Sequence, residues 1–178
     1  GKGFVAPGAS PVDGTGWPLE QASYWLDGAV RLAYIMQDSA LIDKIASRLN
    51  MVVDGVLDTG RTFIYWKEKD YIGGDGFNSW AHSHMGRALV AYYQATGDPR
   101  ILAALDKVYS QFPLPVMHGY IGGNVTGACN ADPMLKTYMM TGNRAILQIV
   151  DSMSRRPEYA ATVDAWSQGN IDPGHGVV

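Results

Sequence analysis

Three histidines, two tryptophans, two carboxylates (Asp27 and Asp132) and one cysteine stand where they could do chemistry. The triplet His82-Ser83-His84 invites a metal reading, but on a helix residues two apart point about 200° away from each other. Both rings therefore cannot grip one ion. One histidine is expected to serve a site and the other to be structural, and no metal ligand set is expected. His84 shares a helical face with Trp80 and Arg87, and His82 does not. Asp27 precedes Arg31 by four residues, the spacing of an intrahelical ion pair, and Trp25 lies beside it. Trp25 and Trp80 read either as core residues or as stacking platforms. Cys129 precedes Asn130 and could be a nucleophile; a small buried hydrophobe is the expected role, because no base partner can be named for it.

Other signals carry less. "GGDG" and "GHG" lack the helix-and-lysine context of a phosphate loop. Asn124-Val125-Thr126 fits a glycosylation sequon, a triplet common by chance. With a net charge of −3 and no Lys/Arg run, neither nucleic acid nor an anionic membrane is the expected partner. One cysteine excludes an internal disulfide. The opening "GKGFVAPGASPVDGTG", residues 1–16, reads as an extended segment without an apolar leader.

The elements that would position these groups announce themselves by repetition. "YQATGDPRIL" at Tyr93–Leu102 returns 45 residues later as "YMMTGNRAIL" at Tyr138–Leu147, with a looser "YIMQDSALI" at Tyr34–Ile42. Each phrase falls where an apolar period of three and four breaks and restarts, so each is the turn of a helical hairpin. Leu26, Ala29, Val30, Ala33 and Met36 form the expected buried face of the first helix. Leu41, Ile45, Leu49 and Val52 or Val53 form that of the second. Asp38, Asn78 and Asp98 are expected caps, with Gly97 and Gly142 as helix stops.

Residues 17–178 thus read as three hairpins joined by long Gly- and aromatic-rich connections. These emerge together at one end, where a site is usually built. The stretch "RTFIYWKEKDYI" could form a short β segment. The fold class expected is all-α, with helical hairpins forming about half of an (α/α)6 toroid, since a closed ring needs twice as many. At the loop-side helix starts stand Trp25, Asp27, Trp80, His84, Asn130 and His175, the candidate substrate-binding residues. Rings that stack on a sugar face, beside carboxylate, amide and imidazole groups that bind hydroxyls, suit a carbohydrate. No acid/nucleophile pair for hydrolysis stands among these residues.

"YWLDGAVRLAYIMQDSALIDKIASRLNMVVDG", "SHMGRALVAYYQATGDPRIL" and the late "GHGV" resemble glycoside hydrolase family 127, the β-L-arabinofuranosidase-like enzymes. The resemblance implies an (α/α)6 barrel with β-sandwich domains, cleavage of arabinofuranosides or related side-chain sugars, and a secreted or periplasmic address in preference to a cytoplasmic one. His84 and His175 match substrate-contacting histidines, and Asp27 matches an acidic residue after Trp-Leu. "GACNADP" stands where the family often has His-Pro-Glu. The family's zinc-bound cysteine nucleophile and glutamate acid/base lie in the later half of its barrel, and Cys129 does not match that cysteine. No cofactor is therefore expected on this chain, zinc belonging to the complete enzyme, whose remaining catalytic domain is the implied partner. The alternatives are a toroid epimerase or lyase using a histidine pair, and a non-catalytic helical-repeat binding module.

Overall fold

The computed structural model describes residues 16–60, 62–63, 79–112, 126–157, 164 and 167–169. The caps expected at Asn78, most of the β segment, Asn124, both glycine-rich motifs and His175 lie outside them. Within them every regular element is helical: α1 Gly16–Met36, α2 Ser39–Thr59, α3 Ser79–Thr96, α4 Pro99–Tyr109, a 3-10 turn Thr126–Asn130, α5 Ala131–Thr141 and α6 Arg144–Ser154. The all-α expectation holds for this part of the chain.

The repeated phrase is one backbone conformation written three times. Gly97 and Gly142 stop their helices at φ 68° and 71°, a left-handed geometry that costs glycine nothing. Gln37 takes the same place in the first hairpin at φ 55°, without that freedom. An extended cap follows in each copy. Asp38 accepts from Leu41 N at 3.0 Å, Asp98 from Arg100 N at 2.9 Å, and Asn143 from Ala145 N at 3.1 Å. In the two closer copies the preceding threonine completes the turn. Thr96 Oγ1 donates to Tyr92 O and accepts from Asp98 N, and Thr141 Oγ1 does the same with Thr137 O and Asn143 N. The Thr-Gly-Asp/Asn sequence is thus a set of satisfied backbone donors and acceptors at a helix end.

Pairings between helices set the topology. Tyr24 meets His84, Asp27 meets Arg87, and Tyr34 meets Tyr92, so α1 and α3 run parallel. His82 meets Asn130 while Arg87 approaches Asp132, so α5 runs the same way on the other side of α3. Within the second hairpin His82 meets Phe112, and Gly86 faces Tyr109, the antiparallel order a two-residue turn requires. The array therefore has two layers, α1–α3–α5 in parallel and α2, α4 and α6 behind them. Lys107 ties the back layer by donating to the Val56 and Leu57 carbonyls at the end of α2, which suits a cation there.

The core lies between the layers. Leu26, Val30 and Ala33 of α1, Ile45, Leu49 and Val53 of α2, Ala88 and Leu89 of α3, and Ile101 and Leu105 of α4 are buried in it. One expectation fails at its margin. Met36 is 64% exposed, because α1 has α2 and α3 on one flank only, and Leu32 and Ile35 share its outward face. In each repeated Ile-Leu pair only the isoleucine, Ile101 or Ile146, is fully buried.

Candidate functional site

The parallel layer brings Tyr24, Asp27 and Arg31 of α1 beside Trp80, His84 and Arg87 of α3. Residues 80, 84 and 87 are spaced by four and three and so occupy one face of α3, as the sequence implied. His84 sits in an aromatic corner. Tyr24 meets its ring edge-on with centroids 4.4 Å apart, and Trp80 lies tilted at 5.7 Å. The Trp80 carbonyl lies 3.0 Å from His84 Nδ1, so that nitrogen carries a proton and donates. The ring is thereby fixed in orientation.

Beside this corner runs a chain of alternating charge across three helices. Asp27 is buried, with Arg31 paired to one carboxylate oxygen and Arg87 Nε 3.0 Å from the other. Arg87 Nε also lies 4.0 Å from Asp132, whose carboxylate is paired with Lys136 at 2.8 Å. The intrahelical pair expected from the spacing of Asp27 and Arg31 is present. The cross-helix pair with Arg87 was not legible, since the two residues stand sixty positions apart in the sequence. Burial of Asp27 between two guanidinium groups removes the main cost of placing a charge there.

The other expected residues divide. Trp25 is half exposed on α1, with Lys44 Nζ 5.8 Å from its ring centre, so its indole already faces a cation. Asn130 does not face the corner. It is fully buried on the opposite side of α3, where Oδ1 accepts from His82 Nδ1 at 2.9 Å and Nδ2 donates to Ser79 O at 3.0 Å. An amide with both ends so engaged braces the fold, which replaces its expected place at the substrate. His82 is correspondingly the structural histidine. It is fully buried, stacked on Phe63 at 4.6 Å and flanked by Tyr109 and Phe112. Burial drives its pKa from 6.5 down to about 4, against the smaller upward pull of the Asn130 hydrogen bond.

Cys129 is partly buried, and burial pushes its thiol pKa up against the weaker pull of a backbone hydrogen bond and Arg87. It is held as the thiol, the unreactive form. Among the described residues no group of three or more His, Cys, Asp or Glu is placed to hold a metal, and no helix is long and apolar enough to cross a membrane. Tyr24 and Asp132 stand at the helix starts, and Arg87 on the face it shares with Trp80 and His84; what the sequence did not place is their contact across helices. No family model, curated protein or solved structure matches this chain.

Proposed function

We propose that the chain supplies the substrate-binding part of an (α/α)6 glycoside hydrolase domain, of the family 127 type, acting on arabinofuranoside-like or related side-chain sugars of polysaccharides. One observation carries this reading: the Tyr24–Trp80–His84 aromatic corner directly adjoins the Asp27–Arg87 pair on the seam between two parallel helices. A furanose or pyranose ring needs both, an aromatic surface for its C–H face and fixed charged acceptors and donors for its hydroxyls. In this reading the two-layer array is half of the toroid. Trp80 and Tyr24 stack, Asp27 and His84 hold hydroxyls, Trp25 borders the seam, and His175 joins them by the family resemblance. The acid/base, the nucleophile and any zinc come from the remainder of the domain.

A histidine-pair epimerase or lyase gains no support from residues 82 and 84, since His82 is sealed in the core on the far side of α3. The helical-repeat binding module has one observation in its favour, the exposed Leu32, Ile35 and Met36 on α1. Calorimetric titration of the 178-residue chain with arabinofuranosyl oligosaccharides separates the two. The hydrolase reading expects saturable binding, quenching of tryptophan fluorescence, and weakening by about tenfold in Trp80→Ala, the loss of one stacking platform. No binding, or binding indifferent to Trp80→Ala and Asp27→Asn, sinks it.

A further inference from the structure

The arginines of this chain are not used alike. Arg31 spends its Nη1 on Asp27, Arg100 spends its Nη2 on Asp54, and Arg155 grips Asp151 through Nε and Nη2. Arg87 is different. Its Nε lies 3.0 Å from Asp27 and is sealed from solvent, yet it makes no aligned hydrogen bond. Among the described residues, neither Nη enters a hydrogen bond. The side chain is 36% exposed, so the guanidinium is held at its root and open at its fork.

A guanidinium fork matches a planar carboxylate, which it can hold through two parallel N–H···O bonds. Its surroundings leave that option electrostatically open. Arg31, Arg87 and Lys136 are three cations against the two carboxylates Asp27 and Asp132, a surplus of one positive charge along the seam. Asp27 and Asp132 lie 3.0 and 4.0 Å from Arg87 Nε, which restrains the root of the side chain. A ligand that finds the fork preorganised loses less side-chain entropy on binding. One and two helical turns before it, on the same face, stand His84 and Trp80, about a sugar ring's reach away.

We propose that Arg87 is the anion-recognising fork of this seam and that the saccharide held there carries a carboxylate, as a uronic acid unit does. The inference rests on the carbohydrate reading above and names the substrate class for the same seam. Arg87 is then a specificity residue: it selects acidic side chains over neutral ones.

The test titrates the 178-residue chain with two probes, a neutral arabinofuranosyl oligosaccharide and the same oligosaccharide bearing one terminal glucuronate. The acidic probe is expected to bind about tenfold more tightly, the worth of one charge-assisted bidentate contact. That preference, read as the ratio of the two affinities within each protein, should shrink as salt is raised and fall to about one in Arg87→Gln. Arg87→Lys keeps the charge and loses the fork, so it should retain only part of the preference, with circular dichroism reporting an intact fold for both variants. Equal binding of the two probes, or a preference that survives in Arg87→Gln, overturns the proposal and leaves the carbohydrate reading standing. Binding of neither probe overturns both.

Discussion

Helix α3 has two sides, and histidines two residues apart report on each. On the side toward α4, His82 lies among Phe63, Tyr109 and Phe112 with its Nδ1 spent on Asn130. On the side toward α1, His84 lies among Tyr24 and Trp80, next to a buried carboxylate shared by two arginines. Both are buried, but the same residue type is sealed among aromatic rings in one place and set beside a charged pair in the other. Polarity of the side chain does not decide this; what the neighbouring helix offers does. The first side should therefore respond to substitution in stability and the second in binding.

The largest effect is expected from His82→Ala. It opens a cavity against three aromatic rings and strands the Asn130 amide, a loss of about 3–5 kcal/mol in chemical denaturation. His84→Ala should cost less, about 1–2 kcal/mol, because its ring, though buried, meets two rings rather than three and one of them, Tyr24, is itself exposed; equal losses at the two sites would break the comparison.

The next effect is a pH dependence owed to the α4 side. His82 has its pKa depressed to about 4 in the folded protein from 6.5 unfolded, so between these values the unfolded chain binds a proton that the folded one refuses. Its contribution is fully present above pH 6.5 and is lost as the pH falls through that window to 4, on the order of 3 kcal/mol in all. Melting temperatures of the wild type and His82→Gln, compared at pH 7 and pH 5, should show a smaller acid loss in the variant. An identical acid limb would return His82 to the ordinary histidine range.

Gly86 sharpens the comparison within a single residue. A Cβ there would collide with Tyr109 Oη and fall 3.3 Å from Pro133 Cβ, so only glycine lets α3, α4 and α5 approach this closely. Gly86→Ala should cost about 1–3 kcal/mol. Tyr109 Oη is buried without a hydrogen bond, so Tyr109→Phe alone should be neutral or slightly stabilising and should restore part of the loss in the double variant. A thermal-denaturation cycle reads the coupling.

The smallest effect is the control outside both sides. Asp54 pairs with Arg100 between α2 and α4, both half exposed, and Asp54→Ala should change stability by no more than about 0.5 kcal/mol. A loss as large as that at Gly86 would mean that the back layer, not the packing around α3, dominates.

Much of the fold was legible because its signals are local. Helical periodicity, Asp38 and Asp98 as caps, and the stops at Gly97 and Gly142 all act within a few residues, where sequence spacing is spatial spacing. The candidate site was legible only as a helix face. Trp80, His84 and Asp27 were placed by their own helices, but the Asp27–Arg87 pair depends on how α1 meets α3. Asn130 misled for the same reason. An amide at a helix start looks available until a partner 48 residues earlier claims it. Met36 fits the apolar period of α1, yet helix packing covers only part of that face.

Gln37 gives the three hairpins unequal grip on their own turns. A left-handed residue with a Cβ is held at a cost of about 1 kcal/mol that glycine at 97 and 142 does not incur. It stands at the end of α1 where Ile35 and Met36 are open to solvent, so little packing offsets that cost. Of the three turns, the α1–α2 turn is therefore expected to open first, its amides exchanging with solvent before those at Gly97 and Gly142.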